Sequence, residues 1–449
     1  MFLQVAKDPL LRMTISATLV LDGVPDRDAV LAHLERMSRS VPGCRHRLQA
    51  APLRLATPRW VVDPDFDLSY HLRWIAAPEP KTLNTVFEYA RQSVMSGLDP
   101  DRPPWTCTVV EGLEGGRAAV IFKLSHVLAD GMGGIAMLPF LTDVTREPGD
   151  LGPMPGMPGN HVTASLPGRV LDAVGANHER LWSFVRVTGG PALRHTPRVI
   201  VNPIGALGTA ARNLQALRRI GMPGTDRLSP IMAERRGWSR FAAIDVDLAA
   251  LRAAARSHNA TVNDAFVTAL SYGFARYHEK HAAPVGQLRA VVAVNTRREG
   301  DSPYGNYLRG GALTLPVGTG DPAKYMAAYH DAILLLREDA RQPVVTALDV
   351  VARALGPFVS GFMGSVMKHC DFSASNVPGI QVPLYFGGAE ILAMYGFGPT
   401  FGTAADITLV SYRGTAFIGF NVDSAAVPDV ETLVDCMREG FDAVLALAG

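Results

Sequence analysis

The chain has 449 residues, of which 48% are hydrophobic and 19% charged, and its formal net charge is +1. That balance suits a folded chain of two or three domains and excludes an extended disordered one. Neither a global basic excess nor interleaved aromatic and basic residues points to nucleic acid, so no nucleic-acid partner is expected. The four cysteines, Cys44, Cys107, Cys370 and Cys436, stand far apart with no CxxC pair, which argues for free thiols over disulfides or a zinc site. The opening residues carry charges where a signal peptide needs an apolar core, and no uninterrupted apolar run is as long as a membrane span. The expected location is cytoplasmic, or peripheral on the inner face of the cell membrane.

In chain order, Met13 to Leu21 has strand composition, and after the turn at Asp22-Gly23 the residues Ala29, Val30, His33, Leu34 and Met37 recur at helical spacing. Ala118 to Leu124 is a second short apolar strand. It leads directly into SHVLADGMGG, after which Gly133 to Leu138 reads as a helix. Ser125 to Gly131 therefore sits at a strand end just ahead of a helix, a position where a rigid element can aim an exposed side chain. The Pro/Gly-rich stretch from Glu147 to Gly159 cannot hold a helix or a central strand and marks the end of a first half. Between Arg180 and Arg219 stand seven arginines and no Asp, Glu or Lys, mixed with Trp182, Phe184, Leu207, Leu214 and Leu217. Such a segment suits an anionic membrane surface, a crossover whose arginines pair with acids elsewhere, or the phosphates of a cofactor. Arg240 to Val246 opens a second half. Thr261 starts a helix with the stripe Val262, Ala265, Phe266, Ala269, Leu270 and Phe274. Val291 to Val294, Gly311 to Val317 and Thr408 to Asn421 read as strands, and Val430 to Leu447 as a terminal helix. Three parts follow: residues 1–146, a crossover over 147–237, and residues 238–449.

His126 and Asp130 are the first chemical candidates. An imidazole titrates near neutrality, so it can take the proton from a hydroxyl that is otherwise a poor nucleophile, while a carboxylate four residues on can orient the ring or hold the loop. By spacing alone, a structural histidine with Asp130 as a turn or cap residue is the better explanation of the pair. Ser125 is not in a GxSxG context, and no glycine-rich phosphate loop follows a strand.

SHVLADG nevertheless resembles the HHxxxDG motif of the bacterial wax ester synthase/diacylglycerol acyltransferase family, part of the CoA-dependent acyltransferase superfamily. Further blocks resemble that family in order. They are Trp60 with Asp63 to Arg73, Leu98 with Asp101 to Trp105, Ala260 to Phe266, Ala293 to Arg297 with Gly305 and Asn306, Ser375 to Gly379, Ser411 to Gly414, and Val427 to Asp429. The resemblance implies an α/β fold of two chloramphenicol acetyltransferase-like subdomains, mixed sheets with flanking helices and a tunnel between them. It implies His126 as general base, Asp130 as an orienting or structural acid, and a serine, Ser125, where the family carries its first histidine. It further implies direct transfer of a long-chain acyl group from acyl-CoA, a co-substrate and not a resident cofactor, to diacylglycerol or a long-chain alcohol. Another lipid, a polyketide or a small alcohol is the alternative acceptor, and a silent lipid-binding protein is the alternative class.

Within that frame Ser125, Gly131, Asn263, Ser375 and Asn376 are candidates for substrate or oxyanion contact, the last two in an expected loop before Pro378-Gly379. Asp264 has its own explanation as the acid of a capping box opened by Thr261. Arg297 is a candidate partner for Asp130 across the halves. No metal site is expected.

Overall fold

The computed structural model describes residues 8–49, 58–147, 149, 152–157, 227–295, 308–341 and 367–448. The arginine-rich segment 180–219, Arg297 and the pair Gly305 and Asn306 lie outside the described residues.

The chain opens with strand β1 (Thr14–Leu21), rich in β-branched residues, and then helix α1 (Arg27–Ser40). Asp26 starts the helix by accepting a hydrogen bond from the Ala29 amide at 2.8 Å, and Val30, His33, Leu34 and Met37 form its buried stripe. A small hairpin of β2 (His46–Gln49) and β3 (Arg59–Val62) stands apart. Next come β4 (Leu72–Ala76), helix α2 (Leu83–Met95), β5 (Trp105–Glu111), β6 (Ala118–Ser125) and helix α3 (Gly131–Leu141).

The second half runs through β7 (Ser239–Asp247), helices α4 (Leu248–Ser257) and α5 (Val262–Lys280), β8 (Gln287–Asn295), β9 (Leu308–Pro316) and helix α6 (Pro322–Arg341). It continues with β10 (Phe372–Val377), β11 (Tyr385–Phe386), β12 (Ala389–Phe397), β13 (Ala405–Tyr412), β14 (Thr415–Asp423) and helix α7 (Val430–Leu445). The expected run from Thr408 to Asn421 is thus a hairpin, turned at Arg413 and Gly414, both with positive φ.

Two six-stranded sheets result. The first has the order β11-β12-β1-β6-β5-β4, antiparallel except for the parallel β4–β5 pair. The second has the order β7-β14-β13-β10-β8-β9, with β10 parallel to both neighbours. Both sheets are mixed and carry helices, which makes the fold α/β.

Two expectations change here. Ser375 and Asn376 lie not in a loop but on β10, a central strand. The polar residues and the Pro-Gly after them read as a turn, yet Ser375 and Asn376 pair in parallel with Thr408 and Leu409 of β13. The two halves also exchange backbone, because β11 and β12, from the region assigned to 238–449, add to the first sheet. Glycines permit the crossing. A Cβ at Gly419 would stand 2.1 Å from the Gly396 carbonyl oxygen, and one at Gly396 would stand 3.0 Å from Thr408 Cγ2, so β12 lies directly on β13 and β14. The core of the first sheet accordingly takes in Val410, Tyr412 and Phe417 of the second.

All four cysteines are buried, and none forms a disulfide. Among the described residues no helix is long and apolar enough to cross a membrane, and no cluster of His, Cys, Asp or Glu is arranged to hold a metal ion.

Candidate active site

The five residues after β6 form a short loop pinned at both ends. At its start the His126 amide donates to the Met13 carbonyl at 2.7 Å, prolonging the β1–β6 pairing by one bond. The Leu128 amide then turns back onto the Ser125 carbonyl at 2.8 Å, and Leu128 and Ala129 bury themselves in the core. At its end Asp130 has extended backbone and caps α3, with Oδ1 accepting from the Gly133 amide at 2.7 Å and its carbonyl from the Gly134 amide at 2.8 Å. Asp130 is fully buried. The sequence pattern therefore has a concrete meaning: strand end, four-residue reach, helix cap.

His126 lines a cavity of about 390 Å³ between the two sheets. Its neighbours on the first-half wall include Trp105, Leu124, Asp130 and Gly131. Ser373, Ser375, Val377, Asp406 and Thr408 form the facing wall. The histidine is half-buried and lines the cavity. Burial therefore holds the His126 pKa below the usual histidine range, more strongly than its own backbone and the Asp130 charge raise it. Its neutral, proton-accepting form is favoured.

Gly131 is a close contact between the start of α3 and the second sheet. A Cβ there would stand 2.5 Å from Val377 Cγ2, at the end of β10. The absence of a side chain lets the start of α3 rest against the second sheet.

The other sequence candidates divide. Ser375 lines the cavity. Asn376, its neighbour on β10, does not, because successive strand residues face opposite ways. Ser125 is likewise absent from the wall that Leu124 and His126 share, and its hydroxyl accepts from the Val127 amide at 3.4 Å. Asn263, in the first turn of α5, does not line the cavity. Asp264 closes the expected capping box, with Oδ2 accepting from the Thr261 amide at 2.8 Å, and it also accepts from His330 Nδ1 at 2.8 Å.

Sequence reasoning missed Ser373, Asp406 and Thr408. Their signal was present as a period of two: Ser373 and Ser375 alternate with apolar or small residues, as do Asp406 and Thr408. The two pairs sit side by side on parallel strands, Ser373 opposite Asp406 and Ser375 opposite Thr408. Asp406 accepts from Ser373 Oγ at 2.7 Å and from Thr408 Oγ1 at 3.0 Å. Burial outweighs these bonds and the one from the Gly398 amide, and pushes its carboxyl up to about 6.

Residues 10–266 match the family model described as the wax ester synthase/diacylglycerol acyltransferase catalytic domain, and residues 304–444 match the model of the C-terminal domain of the same family. The chain belongs to the wax ester synthase/diacylglycerol acyltransferase family. A relative in Mycobacterium tuberculosis (strain CDC 1551 / Oshkosh), provisionally named a diacylglycerol O-acyltransferase, is 35% identical over 98% of this chain and 89% of its own length. The O-acyltransferase WSD of Acinetobacter baylyi is 27% identical over 86% of this chain and 84% of its own. Among solved structures, the wax ester synthase/diacylglycerol acyltransferase from Marinobacter aquaeolei VT8 superposes with a TM-score of 0.62 at 20% identity, covering 100% of this chain and 98% of that one. The first condensation domain of the CDA synthetase shares the fold at a TM-score of 0.61 and 16% identity, covering 100% and 94%. Within the family's fold, the HxxxDG segment of this member lies against the cavity between its sheets.

Proposed function

We propose that this family member moves a long-chain acyl group from acyl-CoA to diacylglycerol, with long-chain alcohols as a second class of acceptor, and that His126 is the general base. The observation that carries the reading is the His126 ring on a cavity walled by both sheets, in a protein environment that keeps it neutral. His126 takes the proton of the acceptor hydroxyl as its oxygen attacks the thioester carbonyl. The tetrahedral adduct collapses with cleavage of the carbon–sulfur bond, and the imidazolium returns the proton to the thiolate. The products are an ester and free CoA, with no covalent acyl-enzyme.

Asp130 acts as a positioning residue, because its cap on α3 fixes the loop that carries His126. Ser375 is the candidate that reaches substrate from the second half. The cavity would be the middle of a tunnel between two chloramphenicol acetyltransferase-like halves, with water excluded from the reacting carbonyl.

The experiment is incubation of the purified protein with palmitoyl-CoA and diacylglycerol, with hexadecanol, or with neither, and identification of products by mass spectrometry. Triacylglycerol in the first reaction is the expected result. Thiol release with no ester product in any arm would contradict the assignment.

A further inference from the structure

The cavity's facing wall is not uniformly apolar. Ser373, Ser375, Asp406 and Thr408 form a two-by-two polar patch on the adjacent strands β10 and β13. Ser373 and Thr408 spend their hydroxyl hydrogens on Asp406, which is only 4% exposed. Asp406 is held from a third side by Gly398, where a Cβ would stand 2.4 Å from Oδ2. Ser375 has no such engagement. Its side chain lines the cavity with no hydrogen-bond partner among the described residues.

A second hydroxyl on the cavity wall is more deeply buried than half-buried Ser375. Ser16 on β1 also lines the cavity, is 2% exposed, and its Oγ is buried with no partner among the described residues. It lies opposite Phe397 in the β1–β12 pairing, one residue before Gly398 and hence near the Asp406 end of the patch.

The two hydroxyls are spare donors, and their needs differ between acceptors. A buried hydroxyl covered by an alkyl chain loses its hydration and gains nothing in return, whereas one that meets a carbonyl is satisfied. A long-chain alcohol has one polar group, and the base at His126 uses it. A diacylglycerol has two ester carbonyls besides its reacting hydroxyl. The Asp406 carboxyl, in turn, makes the patch unwelcoming to an anionic headgroup.

We propose that Ser375 and Ser16 donate hydrogen bonds to ester carbonyls of the acceptor, so that the site selects a neutral partial glyceride over a simple alkanol. The inference rests on the acyl-transfer reading of the same cavity and adds a basis for acceptor choice. The amide carbonyls of the pantetheine arm of CoA share this chemistry, and kinetics separate the two sources.

The test is competition between dioleoylglycerol and hexadecanol at fixed palmitoyl-CoA, for the wild type, Ser375→Ala, Ser16→Ala and the double variant, with KM measured for each substrate. Each substitution removes one oxygen, and melting curves check the fold. The expected result is a fall of about tenfold in the glyceride-to-alkanol ratio in the double variant, through KM for the glyceride, with KM for palmitoyl-CoA unchanged. An unchanged ratio in folded variants would overturn the inference. A rise in KM for palmitoyl-CoA with either acceptor would also overturn it and move the hydroxyls to the pantetheine arm. A wild type that esterifies neither acceptor would remove the transfer function itself, a different outcome from equal loss on both.

Discussion

At the scale of single residues, the site depends on two groups whose protonation burial has shifted in different directions. His126 is held below its ordinary pKa, so its neutral form persists to lower pH than that of a free histidine. If it is the base, kcat/KM should fall on the acid side with a midpoint below 6.5, the ordinary value for histidine. A pH–rate profile checks this, and an acid limb centred above 7 would assign the titration to another group. Asp406 moves upward, from 3.8 to about 6. Between those values the folded protein holds a proton that the unfolded chain has released, so stability is lost as pH rises through the window. Relative to Asp406→Asn, the wild type should lose up to about 3 kcal/mol between pH 4 and pH 7. Chemical denaturation of both proteins across that range reads it, and parallel pH dependences would show that the carboxyl is not shifted. The sequence made His126 visible and left Asp406 hidden for a physical reason. A histidine in an HxxxDG segment carries its own pattern, whereas a single acid in a strand has meaning only once the neighbouring strand supplies Ser373.

At the scale of elements, the strand–loop–helix unit β6, 126–130 and α3 was legible because both of its ends follow local rules: an apolar run into a loop, and an Asp cap ahead of glycines. Local rules misread β10. Ser375, Asn376, Pro378 and Gly379 are turn formers, and only pairing with β13 makes Ser375 part of a strand. The contact between that strand and α3 gives a sharp prediction. Gly131→Ala would drive a Cβ to 2.5 Å from Val377 Cγ2. It should cost about 1–3 kcal/mol and reduce turnover, since the displaced helix carries the His126 loop. Adding Val377→Ala should restore much of both. A double-mutant cycle on stability and rate tests this, and strictly additive losses would show that the two residues do not meet.

At the scale of the whole molecule, the two-half pattern was legible from the Pro/Gly-rich break and the renewed strand-helix order. The exchange of β11 and β12 was not. The run Ala389–Phe397 carries no strict alternation that marks it as a strand, and nothing in it reports which sheet it joins. The exchange places residues from both halves in one core, including Phe87 of α2 against Tyr395 and Phe397 of β12. The protein should therefore unfold as one unit. Urea transitions followed by tryptophan fluorescence and by far-UV circular dichroism should coincide, whereas two separated transitions would mean that the halves fold independently. The central claim is that this shared cavity performs acyl transfer with His126 as its base. Its most direct test is the rate of CoA release from palmitoyl-CoA in the presence of diacylglycerol, measured for the wild type and for His126→Ala of unchanged melting temperature. A loss of about 100- to 10,000-fold is predicted, and near-normal turnover in the folded variant would contradict the account.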